Sequence, residues 1–260
     1  MYRSRKRLQQ DEKEMRKLAI IAEEANEIKS RFLANMSYNI RIPLNNVVGF
    51  SQLLSTDNEL DEEERKEYSC IIQANSGELI QLVNDVLDLS RMETGDLHFD
   101  IKDHLLLVCC QMALESVRHR IPDGVKLTFS PAGEPIVVHV DNLRLQQLLT
   151  NLLTNAAKFT EKGEINLSFQ LAPDREKVCI AVTDTGAGIP LEKQAAVFNR
   201  FEKLDDYKPG AGLGLSICLL IAERLNGSLS IDSSYTDGAR FVLILSCEID
   251  SSIYNPPIEV

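Results

Sequence analysis

From residue 68 onward, apolar side chains recur at alternating steps of four and three: Tyr68, Ile72, Asn75, Leu79, Leu82, Val86 and Leu89. That spacing is a heptad seam along one helix, with Asn75 as its single polar layer. A seam of this kind must be covered by a partner. The preceding segment offers a looser stripe of Leu18, Ala22, Ala25, Ile28, Phe32 and Met36. The stretch TDNELDEEE separates the two, and Asp61 is a candidate N-cap for the second helix. Two helices in a hairpin bury only part of their apolar surface. A second copy completes a four-helix bundle, so the pattern predicts a homodimer. Coiled-coil tendency before residue 30 extends the contact.

After Ser90 the period changes. Around RMETGD (91–96) the helical pattern stops, and alternating LHFDIK announces strands. A helix is predicted over Leu105–Arg118, then strands at KLTFS and IVVHV. A helix over Asn142–Phe159 follows, then a hairpin of INLSFQL and KVCIAVTD, a loop region, and a helix over Gly214–Leu225. SLSIDSS and ARFVLILSCEI close the chain as strands. Antiparallel strands interleaved with helices on one face make an α+β two-layer sandwich. The expected organisation is an N-terminal coiled-coil linker (1–30), a helical hairpin (31–92), an α+β domain (96–248) and an unstructured tail (249–260).

Composition narrows the function classes. The chain has 260 residues and a formal net charge of −11, which argues against nucleic-acid binding through phosphate neutralisation. Asp57, Glu59, Asp61, Glu62, Glu63, Glu64 and Glu67 crowd one segment. They read as a solvated helix start, where carboxylates meet the positive end of the helix dipole. None of the six cysteines forms a CxxC pair. Cys70, Cys179, Cys218 and Cys247 sit in apolar runs and read as buried thiols in a reducing compartment. No apolar run is long enough to span a bilayer. The expected location is the cytoplasm, as a free protein or as the cytoplasmic portion of a membrane-anchored sensor; the basic MYRSRKRLQQ reads as the edge of such an anchor or as a solvated helix end.

Three short stretches carry chemistry. In NLLTNAAKFT, Asn151, Asn155 and Lys158 lie at i, i+4 and i+7 on one helix face, and Leu148, Leu149, Leu152 and Leu153 line the other. Amide oxygens and an ammonium on one stripe suit Mg²⁺ and phosphate oxygens; the alternative is a solvated polar face. In DTGAGIP, Asp184 ends a strand and is followed by Gly186 and Gly188. The carboxylate can accept a hydrogen bond from an exocyclic amine while the glycines let backbone approach a flat ligand; the alternative is a capped glycine turn. In GAGLGLSI, Gly210, Gly212 and Gly214 open a helix, whose N–H groups and dipole face an anion; the alternative is a dinucleotide fingerprint, against which no parallel-sheet strand of a βαβ unit precedes it.

Taken together and in this order, the three stretches resemble the N, G1 and G2 boxes of sensor histidine kinases. VFNRFEKL, with Phe198 and Phe201, resembles the F box between the last two. The helical pair resembles the dimerisation and phosphotransfer hairpin of the same family. The resemblance spans roughly residues 25–248. It implies a Bergerat-type fold binding Mg-ATP beneath a lid. By residue matching, Asn155 would hold Mg²⁺ with Asn151 beside it, Lys158 would contact phosphate, and Asp184 would bind adenine N6 in a pocket shaped by Gly186 and Gly188. Gly210, Gly212 and Gly214 would form the lid hinge and helix start, and Lys203 or Arg200 would reach the γ-phosphate. Related ATPases carry a Glu at the place of Asn151; an amide cannot be that base, so strong hydrolysis is not expected. The family also implies a response-regulator receiver domain as partner.

One stretch departs from the family. SYNIRIPLN stands where S-H-E-I-R-T-P-L-N is typical. Tyr38 occupies the place of the phosphoaccepting His, Asn39 that of the general base, and Ile42 that of a Thr serving dephosphorylation; Arg41 and Pro43 are retained. Imidazole titrates near neutrality and a phenol at about 10, and an amide takes no proton. Autophosphorylation by the family route is therefore expected to be impaired. His98, His104, His119 and His139 all lie outside the first helix. Three readings follow: a nucleotide-binding, dimerising sensor core that signals by rearrangement or through a heterodimer with an active kinase; a working kinase that phosphorylates Tyr38 or a partner His in trans; and a scaffold without nucleotide. The intact Asn155, Lys158, Asp184 and glycines speak against the last.

Overall fold

The structure, a computed structural model, describes residues 2–56, 60–205 and 212–249, excepting the side chains of 2–14, 18, 20–22, 24, 25, 28, 29, 31 and 93. The chain divides into two compact units, Met1–Leu82 and Val83–Val260.

The first unit is built from α1 (Tyr2–Thr56) and most of α2 (Glu62–Thr94). Asp61 starts α2 as the sequence predicts. Its Oδ1 accepts from the backbone N of Glu64 at 2.8 Å, and Glu64 Oε2 accepts from the backbone N of Asp61 at 3.0 Å. This reciprocal capping box satisfies two otherwise orphaned donors. Glu62, Glu63 and Glu64 fill the first turn, facing the positive end of the dipole. Asn46 Nδ2 donates to Asn75 Oδ1 at 3.0 Å, and the rings of Phe50 and Tyr68 sit 5.1 Å apart. Moving up α1 thus means moving down α2, so the helices are antiparallel. The polar layer is satisfied within the hairpin, because Asn75 Nδ2 also donates to the Ile71 carbonyl at 2.7 Å. The start of the seam therefore meets Asn46 and Phe50 and not the predicted stripe, since residues near a turn can only face residues near that turn. Of that stripe, Leu18, Ala22, Ala25 and Ile28 lie outside the described side chains; Phe32 and Met36 are half-buried.

The second unit begins with the last turns of α2. Leu89 and Met92 are buried there. Asp88 accepts from Arg144 at 2.8 Å and from Gln147 at 2.9 Å, and the Arg224 guanidinium donates to the Met92 carbonyl. These turns fold with the elements that follow. They are β1 (Lys102–Leu105), α3 (Leu106–Val117), β2 (Val125–Ser130), β3 (Ile136–Val140), α4 (Asn142–Phe159), β4 (Gly163–Leu171), β5 (Lys177–Asp184), α5 (Gly214–Arg224), β6 (Ser228–Ile231) and β7 (Ala239–Ile249). One seven-stranded sheet runs β1-β3-β7-β5-β4-β2, with β6 also paired to β7. Its alternating residues, such as Val178, Ile180 and Val182 on β5 and Phe241, Leu243 and Leu245 on β7, are buried against the helices.

Several expectations need correction. The sheet is not wholly antiparallel, because β2 pairs parallel with β4. The long connection through β3 and α4 permits that crossover. LHFDIK is not a strand; regular pairing starts only at Lys102. The Asp100 N–H is instead taken by Asp141 Oδ2 at 3.0 Å. In SLSIDSS the strand stops at Ile231, where Asp232 Oδ1 accepts from Ser234 N and folds the chain into a turn. Of the thiols, Cys70 is exposed, because it falls between the Tyr68 and Ile72 seam positions; Cys179 and Cys247 are half-buried; only Cys218 of the four singled out is buried. Among the described residues no helix is long and apolar enough to cross a membrane. Residues 250–260, expected to be unstructured, lie outside the described part.

Candidate functional site

Helix α4 is the common wall of the site. Asp141 caps its start, accepting from the Arg144 backbone N at 3.1 Å. Leu145, Leu148, Leu149, Leu152, Leu153, Ala156 and Ala157 anchor it in the core. With that face buried, Asn151, Asn155 and Lys158 fall on the half-buried border stripe, as their spacing predicts. The Lys158 ammonium lies 5.0 Å from the centre of the Phe159 ring. Among the described residues, two buried side-chain polar atoms have no hydrogen-bond partner: Asn151 Nδ2 and the hydroxyl oxygen of Thr160, the C-cap of α4. Buried polar atoms are rarely left so, and both belong to this one helix and its end.

Strand β5 delivers Asp184. The period that buries Val178, Ile180 and Val182 carries Asp184 to the same inner face, where it is 4 % exposed. Its Oδ1 accepts from the Gly186 N–H at 2.9 Å and the Ala239 N–H at 3.3 Å. Both of these bonds fall on the one carboxylate oxygen. Burial pushes the carboxyl above the ordinary range, and the two backbone N–H groups pull the other way. Glycine is required around it by close approach. A Cβ on Gly186 would sit 2.4 Å from the Phe159 carbonyl oxygen, and one on Gly238 would sit 2.0 Å from the carbonyl oxygen of Asp184. Gly188 packs against the Gly238 carbonyl. The second stretch therefore meets the C-terminal end of α4, and the Ala187 N–H also points to the Phe159 carbonyl.

The third stretch meets α4 nearer its middle. Gly214 opens α5, and a Cβ there would lie 3.8 Å from Asn151 Nδ2. One turn later the Cys218 thiol donates to the Leu148 carbonyl at 3.6 Å. Before α5, the Phe201 N–H donates to the Gly212 carbonyl at 2.8 Å, which ties together the two ends of the intervening loop. Both residues have positive φ, 61° and 71°, and a Cβ on Gly212 would strike Phe201 backbone at 2.8 Å. Phe198 packs edge-on to Phe241, 6.3 Å between centres. Gly210 lies outside the described residues. Lys203 is half-buried and Arg200 exposed beside that loop.

On the hairpin, Tyr38 is 62 % exposed and Arg41 is exposed, with Asn39 half-buried between them. Helix α1 continues through Pro43, which is buried and has no N–H to give the Asn39 carbonyl. His98, His119 and His139 are exposed and His104 half-buried, all in the second unit; His139 bonds Asp103 at 2.7 Å. Sequence reasoning missed Gly238, Ala239 and Thr160. Gly238 and Ala239 lie far along the chain from Asp184 and reach it only through β5–β7 pairing, in which Asp184 faces Ala239. The run DGAR ahead of β7 was the available signal.

Comparison with known proteins follows this division. Residues 28–95 match the His Kinase A (phospho-acceptor) domain, and residues 140–249 the histidine kinase-, DNA gyrase B- and HSP90-like ATPase family. Hybrid signal transduction histidine kinase A of Dictyostelium discoideum is 34 % identical over 90 % of this chain and 12 % of its own length. Signal transduction histidine-protein kinase BarA of Escherichia coli is 34 % identical over 89 % of this chain and 26 % of its own. The chain thus spans a minor part of these relatives. Among solved structures, full-length ShkA in complex with AMPPNP superposes with a TM-score of 0.64 at 28 % identity, covering 85 % of this chain and 46 % of that one. Histidine kinase ThkA in complex with response regulator protein TrrA has the same fold, with a TM-score of 0.66 at 23 % identity over 86 % of this chain and 63 % of that one. A phosphoacceptor hairpin followed by a sheet-and-helix ATPase domain is the make-up of sensor histidine kinases, and this chain belongs to that family.

Proposed function

We propose that this chain is a nucleotide-binding, dimerising kinase core whose own phosphoacceptor has been replaced by Tyr38, so that autophosphorylation on its hairpin is impaired. The observation that carries the nucleotide reading is the state of Asp184. One oxygen is held by two backbone N–H groups among closely packed glycines, so the other can accept from an amine such as adenine N6. The AMPPNP complex of ShkA supports the same reading.

The α4 stripe supplies the phosphate end. Lys158 contacts phosphate oxygens, and the Gly212–Gly214 turn presents backbone N–H groups at the start of α5. Gly210 and Lys203 belong to the lid over that end. Asn155, with Asn151 beside it, would hold Mg²⁺, which would neutralise charge on the phosphates. The amide oxygens of Asn151 and Asn155, half-buried on one helix face, are hard donors of the kind Mg²⁺ takes. Asn151 cannot take a proton from water, so the pocket retains nucleotide more readily than it hydrolyses it.

The hairpin supplies the assembly surface. Leu33, Ile42, Val48 and Leu53 on α1 and Ile80 on α2 are large apolar side chains left exposed. A second copy covers them in a four-helix bundle. A receiver domain docks on the same bundle, and an active kinase of the family can replace one copy to give a heterodimer. Residues 1–30 act as the coiled-coil linker, 31–92 as the hairpin and 96–248 as the nucleotide domain.

Incubation with γ-labelled ATP, followed by acid or base treatment, tests the reading. The purified chain is expected to bind a nonhydrolysable ATP analogue by calorimetry yet carry no acid-labile label on residues 31–92. Stoichiometric label on Tyr38 or on a hairpin histidine of an added kinase would favour an active enzyme. Absence of any binding heat would leave only a scaffold.

A further inference from the structure

Asn151 is an amide with two nearly isosteric ends, of which the oxygen suits a metal ion and the NH2 group does not. Which end faces the nucleotide depends on what holds the other. Its Nδ2 is buried, lies beside Gly214 and makes no hydrogen bond of ordinary geometry. Cys218 sits one turn beyond Gly214 on α5, fully buried at 0 % exposure. Leu148, to whose carbonyl its thiol donates, sits one turn before Asn151 on α4. The two helices therefore set Gly214 and Cys218 against Leu148 and Asn151.

We propose that Cys218 is a positioning residue for the phosphate end of the site: its S–H is committed to the Leu148 carbonyl, so its sulfur lone pairs accept from Asn151 Nδ2 and hold Oδ1 toward the bound Mg-nucleotide. The donor count is consistent. A thiol has one hydrogen to give, and the carbonyl takes it; what remains is acceptor capacity, matched by an amide N–H without a partner. The thiol's titration agrees. Burial pushes it up to about 12, the Asn151 amide pulls it down, and Asp85 raises it further. Cys218 is thus a neutral thiol at physiological pH, inert as a nucleophile, and its contribution is geometric.

The inference rests on the nucleotide reading above, and its test separates the two. Calorimetry of the unaltered dimer, Cys218→Val and Cys218→Ser is run with a nonhydrolysable ATP analogue, once with Mg²⁺ and once with EDTA. Cys218→Val keeps the volume and removes the acceptor. It is expected to cut the Mg²⁺-dependent gain in affinity roughly threefold or more, the share of one weak neutral hydrogen bond, with Mg²⁺-free affinity unchanged. Cys218→Ser, which can both donate to Leu148 and accept from Asn151, restores the gain. A packing role alone would lower both affinities together. Where Cys218→Val fails to fold, Cys218→Ala and the side-chain amide protons of Asn151 in an NMR spectrum replace it; those protons are expected to shift on substitution. Unchanged Mg²⁺-dependence in a folded Val or Ala variant, failure of Ser to rescue, or unmoved Asn151 amide protons overturns the inference alone. Absence of nucleotide binding by the unaltered protein overturns the functional reading and the inference with it.

Discussion

Replacing Asp184 by Asn changes one carboxylate oxygen into an amide nitrogen and leaves the rest of the pocket in place. Asn can keep Oδ1 as the acceptor for the Gly186 and Ala239 N–H groups at 2.9 and 3.3 Å. Its Nδ2 then faces an adenine amine, donor against donor. A hydrogen bond to a charged group contributes about 1.5–3 kcal/mol, and each 1.4 kcal/mol or so is tenfold in affinity. Adenine-nucleotide binding should therefore weaken roughly ten- to hundredfold by calorimetry. Stability without ligand should move the other way. Burial raises the carboxyl in the folded state, so between the ordinary carboxylate range and the raised value the folded protein binds more protons than the unfolded chain. Stability accordingly falls as pH rises through that window, and the cost is fully present above the raised value. The Asn variant has no such cost, and its midpoint of thermal unfolding at pH 7 is expected to match or exceed that of the unaltered protein. Nucleotide affinity of the unaltered protein should fall as pH descends through the raised value, while that of the variant stays flat. Affinity within twofold of the unaltered protein would refute contact between Asp184 and the base. A midpoint several degrees lower would show that Oδ2 has a structural partner after all.

On the proposed reading, Tyr38→His combined with Asn39→Glu supplies both an acceptor and a base, and labelled ATP should then leave acid-labile phosphate on the hairpin; none after both changes would count against that reading. Asp61→Ala removes the capping box and should cost about 1 kcal/mol, read as a lower unfolding midpoint with unchanged nucleotide affinity. Asp88→Ala leaves Arg144, 15 % exposed, without its carboxylate. That should cost roughly 2–3 kcal/mol and sharpen protease cleavage between residues 83 and 101.

Much of this arrangement was written locally. The α4 and α5 starts, the Asn151–Asn155–Lys158 stripe and the Asp61 cap all depend on residues within a turn or two of each other, so spacing alone reveals them. What escaped notice depends on pairing at a distance. Gly238 matters because β7 lies beside β5 and brings residue 238 against Asp184, and the DGAR run there marks a turn without marking the strand it meets. The parallel β2–β4 pair has the same origin, since a crossover of more than thirty residues carries no mark of its direction. LHFDIK alternates as a strand would, but Asp141 takes the Asp100 N–H, and a single capping residue outweighs the pattern.

The same contrast explains how the pocket and the acceptor position can diverge. Every side chain assigned to the nucleotide lies between Asn151 and Gly238, and its packing, caps and glycine contacts are made inside the second unit. Tyr38 belongs to the first unit, on a helix face that is exposed to solvent. An exposed position tolerates exchange at little cost to stability, so the replacement proposed for Tyr38 would leave the hairpin intact and the pocket untouched. The reverse does not hold. A Cβ at Gly238 would lie 2.0 Å from the Asp184 carbonyl oxygen, so change within the pocket disturbs the fold that carries it. Gly238→Ala should therefore lower both nucleotide affinity and the unfolding midpoint, whereas Tyr38→Phe lowers neither. A Gly238→Ala protein with both quantities intact would show that the β5–β7 contact is looser than the structure has it.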